Sequence, residues 1–222
     1  MKPITVILAE DHAIVRDGLK ALLQPAGDIA IIGEAENGHE AVALAQKLRP
    51  EVVVIDISMP LLNGMEATRQ ILETLPKTRV IILSGHSDDA YVERVVSLGA
   101  AGYLVKQSTG GTLATAIREV HKGNVFFSPS VANRRRVSAQ KARIRGEQVA
   151  PDLTARETEV LQLVAEGKAN KETAAVLGIS IKTVEKHRQR VMEKLNIHDT
   201  AGLTRHAIAT GMIEVQVQVE LK

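Results

Sequence analysis

Five short apolar segments recur along the first half of the chain, and each is followed by a segment with helical periodicity. The third, VVVID at residues 52–56, places four apolar residues in a row with no polar residue between them. Such a run indicates a strand that is buried on both faces, as in a parallel sheet. Asp56 then stands at the carboxyl end of this strand, at the edge where open α/β sheets hold their ligands.

The alternation of these segments predicts a parallel sheet covered by helices on both faces. We predict strands at 4–9, 29–35, 52–56, 79–84 and 101–105, and helices at 12–24, 37–49, 63–74, 88–98 and 108–122. Right-handed crossovers between these units lead to a flavodoxin-like (βα)5 domain with the strand order 2-1-3-4-5. In that order the first and third strands are neighbours, so the acidic residues at their ends converge.

Charge is distributed unevenly along the sequence. Residues 1–123 carry 12 basic and 15 acidic side chains, residues 124–150 carry 6 and 1, and residues 151–222 carry 10 of each. We interpret 1–123 and 151–213 as two domains, 124–150 as a basic linker, and the remaining residues to 222 as a tail. Cysteine is absent, which excludes a disulfide framework and a cysteine-ligated zinc site. No apolar run reaches the ~18 residues of a membrane span, so we expect a cytoplasmic protein without membrane contact.

The second half of the sequence predicts an all-α domain of four helices. Thr154 and Glu157 have the spacing of a capping box at the start of the first helix. A short second helix leads to a tight turn at Gly178, a longer helix at about 181–195 and a last helix at about 200–210. A short helix, a turn containing glycine and a longer helix are typical of a helix-turn-helix.

Three acidic residues are expected to meet at the carboxyl edge of the sheet: Glu10, Asp11 and Asp56. Carboxylates at close range repel one another unless a cation lies among them, and Mg²⁺ suits such oxygen ligands. An aspartate beside this ion is able to attack a phosphoryl donor and form an aspartyl phosphate. Lys106 at the end of the fifth strand offers the phosphate a positive charge, and Ser84 at the end of the fourth offers a hydroxyl.

Each of these residues has a simpler explanation when it is considered alone. Asp11 is a candidate helix cap, Lys106 a solvated surface lysine and Ser84 a turn former. Their combination at the ends of four predicted strands favours a phosphoryl-transfer site.

Four motifs within residues 4–122 closely resemble a bacterial response-regulator receiver domain: ILAEDH, VVVIDISMPLLNGMEA, IILSGHS and GAAGYLVK. The resemblance implies that Asp56 is the phosphoacceptor. It also implies that Asp11, Asp56 and the backbone carbonyl of Ser58 bind Mg²⁺, with Glu10 acting through water.

The same resemblance assigns roles to three further residues. Lys106 would pair with the phosphate. Ser84 and Tyr103 would form a switch pair, in which the hydroxyl moves to the phosphate and the ring turns inward. Such a pair has two arrangements, and the charge of one added phosphoryl group favours one arrangement over the other.

The predicted helix at 181–195 has a basic face and an apolar face, the latter formed by Ile181, Val184, Val191 and Leu195. A basic face alone is usually just solvated, but after a helix and a tight turn it indicates a recognition helix for the major groove. The segment 152–213 closely resembles the LuxR-type helix-turn-helix of the NarL/FixJ regulators. The resemblance implies the following DNA-binding residues, the last two near the DNA backbone: Lys182, Thr183, Val184, Lys186, His187, Arg188, Asn170 and Lys171.

The last helix would be the dimer surface in such domains. Thr173 stands where the family commonly has isoleucine, and a buried threonine is able to donate to the carbonyl four residues earlier. Only mild destabilisation is therefore expected. The tail from residue 214 alternates like a strand, and it is either disordered or an edge strand added in a dimer.

Together these features predict a DNA-binding transcription regulator of a two-component system, switched by phosphorylation of Asp56. The expected partners are a sensor histidine kinase, double-stranded promoter DNA and a second copy of the chain, either on phosphorylation or on DNA. One alternative is a regulator that binds DNA without phosphorylation and has a vestigial receiver. The other is a phosphohydrolase, but such enzymes commonly place an acid two residues after the nucleophile, where this chain has Ser58. No enzyme is expected beyond phosphoryl uptake from a donor and slow autodephosphorylation.

Overall fold

The structure is a computed structural model that describes residues 2–85, 95, 97–108, 111–127 and 153–213. These residues fall into two compact units, one before and one after residue 150. Three predicted segments lie wholly or mostly outside the described residues: the helix at 88–98, the linker from residue 128 and the tail at 214–222.

The first unit contains a six-stranded parallel sheet in the order β2-β1-β3-β4-β5-β6. Its strands are β1 (Ile4–Ala9), β2 (Ile29–Ala35), β3 (Val52–Asp56), β4 (Arg79–Ser84), β5 (Gly102–Val105) and β6 (Phe126–Phe127). The predicted order 2-1-3-4-5 is confirmed. The short strand β6 lies inside the segment assigned to the linker. It was not predicted, because two residues are too few to establish a period.

Helices cover both faces of this sheet. They are α1 (Ala13–Leu23), α2 (Gly38–Leu48), α3 (Gly64–Thr74) and α4 (Leu113–His121). Asn37 and Asn63 cap α2 and α3, since each side chain accepts a hydrogen bond from a backbone N–H at the third helical position. The helix predicted from residue 108 begins only at Leu113, and a 3-10 turn occupies Lys106–Ser108.

Side chains of β3 point alternately into two apolar layers. Val53 and Ile55 pack with residues of α2 and α3, whereas Val52 and Val54 pack with residues of α1 and α4. The four are 0% exposed, and Asp56 is 1% exposed. Burial on both faces explains the unbroken apolar run, and each buried valine or isoleucine contributes about 1.5–3 kcal/mol by transfer from water.

The second unit contains the four predicted helices, α5 (Ala155–Ala165), α6 (Asn170–Leu177), α7 (Ile181–Leu195) and α8 (Thr200–Ala209). The capping box is confirmed: Thr154 Oγ1 accepts from the Glu157 N–H, and Glu157 Oε2 accepts from the Thr154 N–H. Gly178 ends α6 with φ at +63°, a left-handed conformation that favours glycine. Within the described parts of both units, no helix has the length and apolar character needed to cross a membrane.

Thr173 in α6 is fully buried, as its core position predicts. The expected hydrogen bond from its hydroxyl is wrong, because Thr173 Oγ1 has no hydrogen-bond partner among the described residues. A buried hydroxyl without a partner loses its hydration without compensation. The position is therefore a source of instability in the second unit.

Candidate phosphorylation site and nucleic-acid interface

Four strand ends place polar side chains along one edge of the sheet. Asp56 and Ser84 are the last residues of β3 and β4, and Glu10 and Lys106 directly follow β1 and β5. These four strands are consecutive neighbours in the sheet, and all run in the same direction. The structure therefore brings together the strand-end residues that the sequence selected.

Lys106 connects two buried carboxylates from different strands. Its Nζ atom lies 2.9 Å from Glu10 Oε2 and 3.0 Å from Asp56 Oδ1. The Glu10 residue is 0% exposed and Asp56 1%, whereas the Lys106 side chain is 22% exposed. Burial alone lowers the pKa of Lys106, but the charges and hydrogen bonds of Asp56 and Glu10 outweigh burial and raise this pKa above its usual value. Lys106 is therefore a protonated cation at neutral pH.

Asp11 and His12 extend the acidic cluster toward solvent. His12 Nδ1 lies 2.9 Å from Asp11 Oδ1 and 3.3 Å from Glu10 Oε1. Burial alone lowers the pKa of His12, but the charges and hydrogen bonds of Asp11 and Glu10 outweigh it and raise the pKa above its usual value. Sequence reasoning missed His12, although its position directly after two acidic residues in EDH was a signal.

The donor set of this cluster suits a hard divalent cation. Glu10, Asp11 and His12 each offer a ligand atom within 4.8 Å of the other two. In the described part of the chain, this is the group of three potential metal ligands that lie so close together. Asp56 is not in that group, and Lys106 connects it to Glu10 instead. Carboxylate oxygens dominate the set, and Mg²⁺ prefers oxygen ligands, so the residues present fit this ion.

The loop after β3 is closely packed beneath Asp56. The Gly64 N–H donates to the Ile57 carbonyl at 2.8 Å. A Cβ atom on Gly64 would lie 1.9 Å from the Asp56 carbonyl oxygen, so the start of α3 requires glycine at this close approach. Ser58, whose carbonyl the resemblance assigns to the metal, lies half-buried in this loop.

Both residues of the expected switch pair are buried. Ser84 is 2% exposed and Tyr103 is 0% exposed. Tyr103 packs in the same apolar layer as Ile55 and Ile82. The ring therefore occupies the inward position that the resemblance assigns to the switched form.

The exposed face of α7 differs in part from the predicted DNA-binding set. Lys182 and Lys186 are exposed, as is Lys171 at the start of α6. Thr183 is half-buried, and its Oγ1 lies 2.8 Å from the Oγ of Ser180, the capping residue of α7. The three exposed lysines are therefore available to DNA phosphates.

Val184 is fully buried. Its assignment as a DNA-binding residue is wrong for this structure, because a side chain without exposed surface offers no atoms to DNA. The conflict was present in the sequence, where the same valine was assigned both to the apolar face of the helix and to the DNA contacts. Burial identifies the core role as the correct one.

Arg188 joins three helices of the second unit. Its Nη1 donates to Asn170 Oδ1 at 3.2 Å, and its Nη2 donates to Thr200 Oγ1. Asn170 begins α6 and Thr200 begins α8, so this guanidinium ties the middle of α7 to both neighbours. His187 is half-buried, and its Nδ1 has no hydrogen-bond partner within the described ranges.

Comparison with known families assigns both units. Residues 6–118 match the response regulator receiver domain, and residues 151–207 match the bacterial regulatory proteins of the luxR family. The chain belongs to the LuxR-type response regulators. It is a DNA-binding transcriptional response regulator of a two-component system.

Relatives of this response regulator match it over nearly its whole length. It is 41% identical over 198 residues to the transcriptional regulatory protein LiaR of Bacillus subtilis, covering 88% of this chain and 92% of LiaR. It is 32% identical over 227 residues to DegU of Brevibacillus brevis, covering 96% of each chain. A structure of the RcsB response regulator of Salmonella typhimurium aligns with a TM-score of 0.65 at 28% identity, covering 95% of this chain and 99% of RcsB. RcsB has also been solved as a complex with DNA, and that structure aligns with a TM-score of 0.58.

In this response regulator, the structure unites Glu10, Asp56 and Lys106 as the sequence predicted, and it adds His12. In the second unit it separates the predicted DNA-binding residues into exposed lysines, a buried valine and an arginine engaged with other helices. Which side of a helix is covered depends on the neighbouring helices. The helical pattern already placed Val184 on the apolar face, but it could not separate the exposed lysines from Arg188.

Proposed function

We propose that Asp56 is the phosphoacceptor of this response regulator and that a sensor histidine kinase is its phosphoryl donor. The observation that carries the proposal is the Lys106 ammonium between the buried carboxylates of Glu10 and Asp56. An Asp56 carboxylate oxygen attacks the phosphorus atom, and an O–P bond forms as the bond from phosphorus to the donor's imidazole nitrogen breaks. The nitrogen keeps the electron pair of that bond and takes a proton.

Mg²⁺ is the proposed cofactor. Asp11, Asp56 and the carbonyl of Ser58 would hold it, with Glu10 acting through water, and it would offset the negative charge of the phosphoryl oxygens. The two buried carboxylates and the adjoining Asp11 support this assignment, because they concentrate oxygen ligands at one strand edge. His12 contacts the carboxylates of Glu10 and Asp11 and restrains their positions.

Phosphorylation changes the charge that faces Lys106. The phosphorylated Asp56 would present phosphate oxygens to the ammonium, which would shift from its contact with Glu10 toward the phosphate. Ser84 would donate its hydroxyl to another phosphate oxygen, and Tyr103 would hold its inward position behind it. One added charged group thus selects between two arrangements of the β4 and β5 ends.

The proposed target of the second unit is double-stranded promoter DNA. Lys171, Lys182 and Lys186 would anchor phosphates, and the N-terminal half of α7 would enter the major groove. Two copies would place two such helices on half-sites about 10 base pairs apart. The complex of RcsB with DNA supports this role by similarity. Because promoter DNA lies in the bacterial cytoplasm, we expect the protein to act there.

A phosphorylation assay tests the proposal. Wild type and Asp56→Asn are incubated with Mg²⁺ and a small acyl-phosphate donor, and the intact mass and the molar mass in solution are then measured. We expect wild type to gain one phosphate and to double its molar mass, whereas the variant stays unmodified and does not respond. Equal modification of both proteins would remove Asp56 from its proposed role, and modification without a mass change would contradict dimerisation on phosphorylation.

A further inference from the structure

Arg16 in α1 makes three hydrogen bonds close to the cluster of Glu10, Asp11 and His12. Its Nη1 donates to the backbone carbonyl of Glu10 at 2.7 Å, its Nε to Glu34 Oε2 at 3.1 Å, and its Nη2 to Glu36 Oε1 at 2.8 Å. The side chain is only 11% exposed although it belongs to a long charged residue. One guanidinium therefore connects α1, the end of β2 and the residue at which β1 enters the site.

The contact with Glu10 fixes the main chain of a site residue. The Glu10 N–H donates to the Ala35 carbonyl at 3.0 Å, and the Glu10 carbonyl accepts from Arg16, so its backbone is held on both sides. Its carboxylate lies against Lys106 and His12. A displacement of the Glu10 backbone would move the carboxylates of Glu10 and Asp11 together, because both residues follow the end of β1.

We propose that Arg16 is a positioning residue for the Mg²⁺ and phosphorylation site, holding the Glu10–Asp11 segment in the arrangement that binds the ion. The inference rests on the proposed function of that site. Arg16 touches neither the donor nor the carboxylate that receives the phosphate. Its fork of donors satisfies three acceptors in three directions, which the single ammonium of a lysine does not reproduce.

A charge effect and a positioning effect of Arg16 would change the Mg²⁺ affinity in opposite directions when Arg16 is replaced. The replacement Arg16→Ala removes a positive charge near a cation site and takes away the ion-pair partner of Glu36, whereas Glu34 keeps its contact with Lys20. Electrostatics alone therefore tightens Mg²⁺ binding. Loss of positioning weakens binding instead, because removal of residues that orient metal ligands typically costs about 10–100-fold in affinity. The direction of the change therefore distinguishes the two effects.

The test is the Mg²⁺ affinity of the full chain, measured by isothermal titration calorimetry, with circular dichroism as the check on folding. The variants are Arg16→Ala and Arg16→Lys, and the matched control is Arg118→Ala. Arg118 in α4 forms a two-pronged contact of 2.8 and 2.7 Å with Asp28, which precedes β2 at the opposite edge of the sheet. A second readout is the Mg²⁺ concentration that half-saturates phosphorylation by an acyl-phosphate donor, compared with the rate at saturating Mg²⁺.

We expect Arg16→Ala to weaken Mg²⁺ binding about tenfold and to raise the half-saturating concentration in parallel. Arg16→Lys should recover only part of this loss, and Arg118→Ala should match wild type. Unchanged or tighter binding by Arg16→Ala would overturn the positioning role. Full recovery in Arg16→Lys would overturn the role given to the fork of donors, since a single donor to the Glu10 carbonyl would then suffice. A wild type that binds no Mg²⁺ would overturn the proposed function and, with it, this inference. A wild type that binds the ion leaves the assignment of Arg16 to be decided by the variants.

Discussion

Lys106 and Asp56 form an ion pair between the ends of β5 and β3, two strands that β4 separates in the sheet, with Lys106 Nζ 3.0 Å from Asp56 Oδ1. The same ammonium lies 2.9 Å from Glu10 Oε2, so a single positive charge serves two buried carboxylates. One cation offsets only one of these two negative charges. The remaining negative charge supports the Mg²⁺ proposed for this site, and on that proposal a phosphate on Asp56 would enter at the contact with Lys106.

The replacement Lys106→Met removes this cation while it keeps most of the side-chain length. We predict that the free energy of unfolding of the first unit falls by about 2 kcal/mol. This is less than the ~3–5 kcal/mol for breaking a fully buried pair, because Lys106 retains contact with solvent. Urea denaturation followed by circular dichroism measures the change. Lys122→Met is the control, since Lys122 pairs with Glu119 on the surface. Equal stability of Lys106→Met and wild type would show that the pocket needs no counterion.

Two glycines in helices should respond to alanine in opposite directions. The replacement Gly64→Ala would put a Cβ atom 1.9 Å from the Asp56 carbonyl oxygen. A Cβ on Gly18 in α1 would meet no heavy atom of the described residues within 4 Å, apart from the adjoining backbone of its own helix. We expect Gly64→Ala to lower the free energy of unfolding by about 3 kcal/mol, at the upper end of overpacking costs. Gly18→Ala should raise it by about 0.5–1 kcal/mol. Urea denaturation of both variants measures these changes, and a tolerated Gly64→Ala would contradict the packing beneath Asp56.

Replacement of the buried hydroxyl of Thr173 by a methyl group should increase the stability of the second unit. Thr173→Val keeps the shape and removes a group without a hydrogen-bond partner among the described residues, so the second unit should become about 1–2 kcal/mol more stable. The matched control is Thr68→Val, because Thr68 is equally buried but its hydroxyl donates to the Gly64 carbonyl at 2.6 Å. That variant should lose about 1 kcal/mol in the first unit. Thermal and urea transitions give both values, and a destabilising Thr173→Val would indicate that the hydroxyl is satisfied in solution.

The architecture of the first unit was predictable because its strands are apolar without alternation. The run at 52–56 indicates burial on both faces, and the helical segments between strands impose parallel pairing. Strand-end residues then meet by geometry alone, which is why Asp56 and Lys106 were predicted to lie near each other. The two-residue strand β6 gave no such signal, since Phe126 and Phe127 are too short a segment to show a period.

Contacts that depend on tertiary packing were not predictable from local patterns. Sequence reasoning did not anticipate that Arg16 reaches the Glu10 carbonyl from the facing helix. Likewise, the Thr173 hydroxyl lacks a partner among the described residues because of where its rotamer directs it. In both cases the residue type was informative, but its hydrogen bonding depended on the packed structure.

The exposed lysines and Arg188 should affect DNA binding differently. A lysine that contacts one phosphate contributes about 0.9 to the slope of log K against log salt concentration. We predict that Lys182→Ala reduces this slope by about that amount on a mixed-sequence DNA duplex. Arg188→Ala should leave the slope close to wild type and lower the melting temperature of the second unit, because its guanidinium binds Asn170 and Thr200. Fluorescence anisotropy at several salt concentrations provides the slopes. The reverse pattern would assign the phosphate contact to Arg188.

The role of Asp56 as the phosphoacceptor is tested most directly by locating the phosphoryl group on the chain. Wild type is treated with Mg²⁺ and a small acyl-phosphate donor, then with borohydride, which reduces an aspartyl phosphate to the side chain of homoserine. Peptide mass spectrometry identifies the altered residue. We predict a single altered position, residue 56, and no alteration when the donor is left out. Reduction at another aspartate, or a phosphate that survives borohydride on a hydroxyl group, would contradict the assignment of Asp56 as the phosphoacceptor.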